Sequence, residues 1–130
     1  MKKFVLAAAM MLAATAAFAA DPAEGIWKTA PDDNGNFGHV QVKACGANVC
    51  GNLVKAFDGS GKEIASKNIG RAIVWDMANK GDGAYGGGKI YSPDRDKTYS
   101  GKMQLSGNKM TVKGCVIGIC RDGGTWIRVK

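Results

Sequence analysis

Apolar and polar residues alternate along this chain in short runs. Each run is interrupted within about ten residues by glycine, aspartate, asparagine or proline. Val40, Val42 and Ala44 alternate with His39, Gln41 and Lys43. Tyr99, Gly101, Met103 and Leu105 alternate with Thr98, Ser100, Lys102 and Gln104, and Met110, Val112 and Gly114 with Lys109, Thr111 and Lys113. A period of two puts successive side chains on opposite faces of a half-buried antiparallel strand. No stretch of about a dozen residues keeps an apolar stripe at helical spacing. Further strands are read at residues 25–29, 51–57, 72–77 and 86–92, and the last strand ends in residues 125–129. Residues 62–70 read as an irregular loop, and 79–84 as a flexible connection containing glycine. About eight strands in succession with short connections predict an all-β fold, a small up-and-down antiparallel β-barrel. Closure removes the exposed edges that invite aggregation. At this strand number the interior is either filled with side chains or holds one small ligand.

The N-terminus sets the compartment. Lys2 and Lys3 precede an apolar run from Phe4 to Ala14, and Ala17-Phe18-Ala19 has the small-x-small pattern of a signal-peptidase site. The reading is a cleaved signal helix, residues 1–19, with cleavage after Ala20 as the second choice, followed by a single domain, residues 20–130. The apolar run is short of the roughly 20 residues a membrane span needs, so no transmembrane segment is expected in the mature form. The expected location is a bacterial periplasm, or secretion. Losing Lys2 and Lys3 lowers the formal net charge of +7 by two. Outside the cytoplasm a basic surface faces anionic lipid, lipopolysaccharide or cell-wall polymer rather than nucleic acid. Plain solubility is the simpler explanation of that charge. The oligomeric state is open.

The four cysteines, Cys45, Cys50, Cys115 and Cys120, form two equally spaced pairs, each across an expected hairpin turn. If Cys45 faces Cys50, Val42 faces Leu53 and Lys43 faces Asn52. If Cys115 faces Cys120, Lys113 lies across from Asp122. Directly opposed strand residues are within disulfide range, and the favoured reading is two local bridges, each worth about 2 kcal/mol on loop entropy. A crossed pairing closes longer loops and is worth about 4 kcal/mol for its first bridge, but it requires the two hairpin tips to meet. The spacing is wider than a usual structural zinc site, and an oxidising compartment favours disulfides.

Catalytic signals are sparse. His39, the single histidine, lies on the polar face of its strand without a partnered base or nucleophile in view. The glycines at 81, 83, 86, 87 and 88 do not sit between a strand and a helix, as a phosphate cradle would. Asp94 and Asp96 read as turn residues. No cofactor or metal motif is present, and no enzyme activity is expected. The aromatic set of Trp27, Trp75, Tyr85, Tyr91, Tyr99 and Trp126 fills a core or lines a cavity, and a small domain favours core. If a cavity exists, Trp75, Tyr91, Tyr99 and Met103 are its candidate lining.

Taken together, Gly25-Ile26-Trp27-Lys28-Thr29, the hairpin tip from Cys45 to Gly51, Gly87-Gly88-Lys89-Ile90-Tyr91-Ser92-Pro93 with Lys97-Thr98-Tyr99-Ser100, Lys113-Gly114-Cys115 and Thr125-Trp126-Ile127-Arg128-Val129 resemble an exported bacterial family, the domain of unknown function DUF2147. Tyr85 stands where such proteins often carry Trp, and Asp96 where a turn Gly is usual. The family looks like the calycin barrels, which include lipocalins. Gly25 and Trp27 on the first strand, with an arginine on the last, are similar to the lipocalin pattern, in which the arginine packs across the tryptophan and closes the barrel base. The resemblance implies that Arg128 has this role, in a cation–π contact of about 1 kcal/mol. Simple alternation puts Trp126 and Arg128 on the outer face with Cys120, and a bulge at Gly123-Gly124 would turn them inward. The function expected is binding of a small apolar or amphipathic ligand. The alternative is a structural or interaction module of the envelope with a filled core.

Overall fold

Strands form where the alternation runs, and several run further than the pattern suggests. A computed structural model describes residues 20–130; the expected signal helix lies outside them. Nine strands follow in order: β1 (Gly25–Lys28), β2 (Phe37–Cys45), β3 (Asn48–Phe57), β4 (Glu63–Ile64), β5 (Ala72–Gly81), β6 (Ala84–Ser92), β7 (Lys97–Ser106), β8 (Lys109–Val116) and β9 (Ile119–Arg128). The sheet order is β2-β1-β9-β8-β7-β6-β5-β3-β4, and β2 also pairs with β3. Eight antiparallel strands therefore close into a barrel, and β4 is a two-residue appendage on β3. Among the described residues no helix is long and apolar enough to cross a membrane.

Two sequence expectations are corrected. The 79–84 connection is strand up to Gly81, followed by a two-residue turn at Asp82-Gly83. The last strand, which ends in the expected segment, begins at Ile119, just after the turn that the second cysteine pair flanks. The 62–70 loop contains the short β4 pairing at its start.

Both local disulfides are present, Cys45–Cys50 and Cys115–Cys120. In the second hairpin the cysteines are directly opposed, and Lys113 pairs with Asp122 as expected. In the first they are not. Val40 faces Leu53, Gln41 faces Asn52, and Cys45 faces Asn48. The turn is two residues long, with Gly46 at φ 64°, so the register slips by two and the bridge runs diagonally. The pairing directions put the β2–β3 turn at one end of the barrel and the β8–β9 turn at the other. The crossed pairing is therefore excluded, and a four-thiolate zinc site with it. Cys45, Cys50 and Asp76 cluster at the base, but the two sulfurs are spent on each other and the backbone N–H of Asp76 donates to Cys50 Sγ at 3.4 Å.

The bulge in β9 is present. Thr111 pairs with Thr125 but Lys113 with Asp122, so β9 has one extra residue at Gly123-Gly124, with Gly124 at φ 93°. This turns Trp126 inward, where it is 4% exposed, and sets Arg128 opposite Trp27. The core fills the lower half of the barrel: Trp27, Val42, Val49, Met77, Tyr85, Met103 and Met110 are buried there. Gly101 makes room for this packing, since a Cβ would lie 2.3 Å from Met77 Cε and 2.6 Å from Ile90.

Candidate functional site

The base is sealed by residues preceding β1. Trp27 Nε1 donates to the Ala23 carbonyl at 2.8 Å. Arg128 stacks over the Trp27 ring, 4.4 Å from its centroid, and its guanidinium donates to the carbonyls of Glu24 at 2.8 Å and Pro22 at 2.7 Å. Arg128 Nε donates to Asn108 Oδ1 at 3.0 Å. One side chain thus ties together β9, the β7–β8 turn and the entering chain. Gly25 is required beside it, because at φ 141° a Cβ would lie 2.6 Å from the Lys130 carbonyl oxygen and 2.9 Å from Arg128. Gly25, Trp27 and Arg128 therefore meet at the closed end.

Tyr85 occupies the same floor. Its hydroxyl donates to Asp21, which also accepts from the Ala23 N–H at 2.8 Å and the Asn79 amide at 3.1 Å. Burial pushes the Tyr85 phenol up, and Asp21 pushes it in the same direction. For Asp21, burial alone would raise the carboxyl, but the hydrogen bonds from Tyr85, Ala23 and Asn79 outweigh it and hold the group below its ordinary value.

The other end is concave and open. A cavity of about 1410 Å³, its open mouth included, is lined by Val40, Leu53, Ile73, Ile90, Val112 and Trp126, with Tyr91 and Tyr99 nearer the rim. These six lining side chains also belong to the hydrophobic core, so the concavity, a cup, sits directly on packed residues. Tyr99 packs against Gly114, where a Cβ would lie 3.2 Å from Tyr99 Cβ and Cγ. Tyr91 is held at the rim by Arg71, 3.6 Å over its ring, and by donation to Asp96 Oδ1 at 2.7 Å. Asp96 is itself at φ 50°, a position where glycine is free and aspartate is tolerated.

Trp75 and Met103 do not line this cavity. Trp75 pairs with Lys89 on the outer face, because bulges in the β3–β5 pairing reset the alternation before it. Met103 packs in the filled base. The aliphatic lining went unrecognised in the sequence because the inner face reads the same whether it meets a side chain or a void.

The 29–36 loop partly roofs the cup. Ala30 Cβ sits where a side chain on Gly124 would be. Asp33 reaches Arg95 at 3.5 Å, across a barrel in which four strands separate the two loops in either direction. Both partners are exposed, so the pair is worth under about 1 kcal/mol. His39 lies on the outer face against Phe57, ring centroids 4.7 Å apart. Its pKa is lowered by burial and by Lys55 and Lys28, with Glu63 opposing.

Comparison with known structures gives the same architecture. A Helicobacter pylori protein described as belonging to the lipocalin family matches with a TM-score of 0.65 at 18% identity, over 82% of each chain. At that identity the likeness speaks for the fold alone. A comparison with curated proteins finds no match. The family described as an uncharacterized protein conserved in bacteria, DUF2147, matches residues 25–128. With that match along nearly the whole barrel, the chain belongs to the DUF2147 family of bacterial proteins.

Proposed function

We propose that this protein is an exported, non-catalytic barrel that binds one small apolar or amphipathic molecule in its upper half. The observation that carries this reading is the cup itself. Ligand sites are concave, mostly apolar and about 300–1,000 Å³ in volume, and a cavity of about 1410 Å³ with its mouth, lined by Val40, Leu53, Ile73, Ile90, Val112 and Trp126, accommodates a molecule of that class. A lipocalin-like barrel is consistent with it. Export to an oxidising compartment, the periplasm, is supported by the two disulfides. The non-catalytic part rests on His39, which lies on the outer face against Phe57 with Lys55 and Lys28 near it.

Native mass spectrometry of the protein purified from its own periplasm tests the reading. A co-purifying small molecule is expected. Val112→Trp places an indole in the cup and is expected to abolish co-purification while keeping the β circular-dichroism signal. Retention of the ligand by Val112→Trp, or a wild-type protein that neither carries nor takes up an apolar probe, defeats the proposal.

A further inference from the structure

Four of the barrel's hairpins close through two-residue turns. Gly46-Ala47 and Gly107-Asn108 have positive φ only at the leading glycine; Asp82-Gly83 and Ile117-Gly118 have positive φ at both residues. The first pattern wants glycine first, and the second wants asparagine, aspartate or glycine first. Three turns comply. The fourth has Ile117 at φ 49°, where a β-branched residue is an outlier. Ile117 is also 96% exposed, and its neighbours Val116 and Ile119 are 52% and 70% exposed. Neither local conformation nor burial explains an isoleucine there, and strained residues that persist mark function.

We propose that this tip, Val116, Ile117 and Ile119, is an anchor that inserts into a lipid surface. Three features converge on that occupant. The apolar area is confined to three side chains, far below the roughly 800 Å² per partner that a stable protein interface needs, yet insertion into a bilayer interface scales with whatever apolar area is buried. The Cys115–Cys120 bridge lies one residue pair behind Val116 and Ile119, so the tip is already rigid and insertion orders nothing new. Behind the tip stand Lys113, Arg121 and Asp122, one more cation than anions, as suits contact with anionic headgroups. Val116, Ile117 and Ile119 also border the mouth of the cup, so docking turns the opening toward the membrane. Docking does not require an occupied cup, so this inference stands apart from the ligand reading.

The test is co-sedimentation of the mature, oxidised protein with vesicles of phosphatidylethanolamine and phosphatidylglycerol. Wild type is expected to sediment with them, and Ile117→Asn to bind about tenfold more weakly, the effect of withdrawing one inserted aliphatic side chain. The same Ile117→Asn is expected to raise the urea midpoint, since asparagine suits the turn; weaker docking from a more stable protein separates function from folding damage. Ile119→Thr, which keeps strand propensity, is expected to weaken docking as well. Wild type remaining in the supernatant, or Ile117→Asn sedimenting as wild type does, overturns the proposal. So does a concentration-dependent association without lipid that Ile117→Asn abolishes, because the tip's partner is then a second copy of the chain.

Discussion

Arg128 and Trp27 face each other across the β1–β9 pairing, with the guanidinium 4.4 Å over the indole ring. The contact closes the barrel base and joins the last strand to the first. Its strength comes more from geometry than from charge. Arg128 uses three donors on three acceptors, the carbonyls of Pro22 and Glu24 and the amide of Asn108, which a lysine cannot match. Arg128→Lys is therefore expected to lower stability by about 2 kcal/mol although the charge is kept. Trp27→Ala, which empties a fully buried site, should cost about 3–5 kcal/mol. Urea denaturation followed by fluorescence measures the first, and circular dichroism the second.

Gly124 is irreplaceable on two counts. Its φ is 93°, and a Cβ there would lie 2.4 Å from that of Ala30. Gly124→Ala should destabilise by about 2 kcal/mol, where Gly→Ala at an open position with negative φ stabilises. An unchanged urea midpoint would show that the β9 bulge is not what orients Trp126 and Arg128.

The two disulfides close equally short loops at opposite ends of the barrel, and each is worth about 2 kcal/mol. Cys45→Ser with Cys50→Ser, and Cys115→Ser with Cys120→Ser, are expected to cost about this much separately and to add when combined, since the sites share no partners. Peptide mapping of the non-reduced protein should recover only the local pairs.

The Asp21–Tyr85 contact predicts a pH dependence. Because the folded carboxyl of Asp21 is held below its ordinary value of 3.8, the folded state binds this proton less readily than the unfolded chain. The stabilisation is present above the ordinary value and is lost as pH falls through the lower, folded one. The stability difference between wild type and Asp21→Asn should thus be constant near neutrality and shrink below about pH 3.8. Tyr85→Phe should cost about 2 kcal/mol at neutral pH, the worth of a hydrogen bond to a charged acceptor. A difference that grows on acidification would reverse the assignment.

Strand identity was legible because period-two alternation survives in β2, β7 and β8, where one face meets the interior and the other meets water. The bulge at Gly123-Gly124 was legible because alternation through it would have left Trp126 outside. The register of the first hairpin was not, because cysteine spacing and turn length make competing demands there and Gly46 at φ 64° settles them in favour of the tighter turn. The choice between local and crossed cysteine pairing was not legible either; the strand directions settle it, because they put the two hairpin tips at opposite ends of the barrel.

By itself the sequence determined the local order of this protein: which residues extend, where the chain turns, which cysteines are close enough to bond, and which tryptophan opens the first strand. These follow from interactions among residues near one another in the chain. Only the tertiary structure decided that Asp21 lies under Tyr85 and that Arg128, expected across Trp27, also reaches the Pro22 and Glu24 carbonyls. It also decided that the alternating inner face is packed around Met77, Met103 and Met110 and borders the open concavity at Ile90, Val112 and Trp126, which are themselves at most 8% exposed. Which inner residues meet only side chains and which also border the opening depends on what lies across the barrel, a distance that periodicity along a strand does not encode.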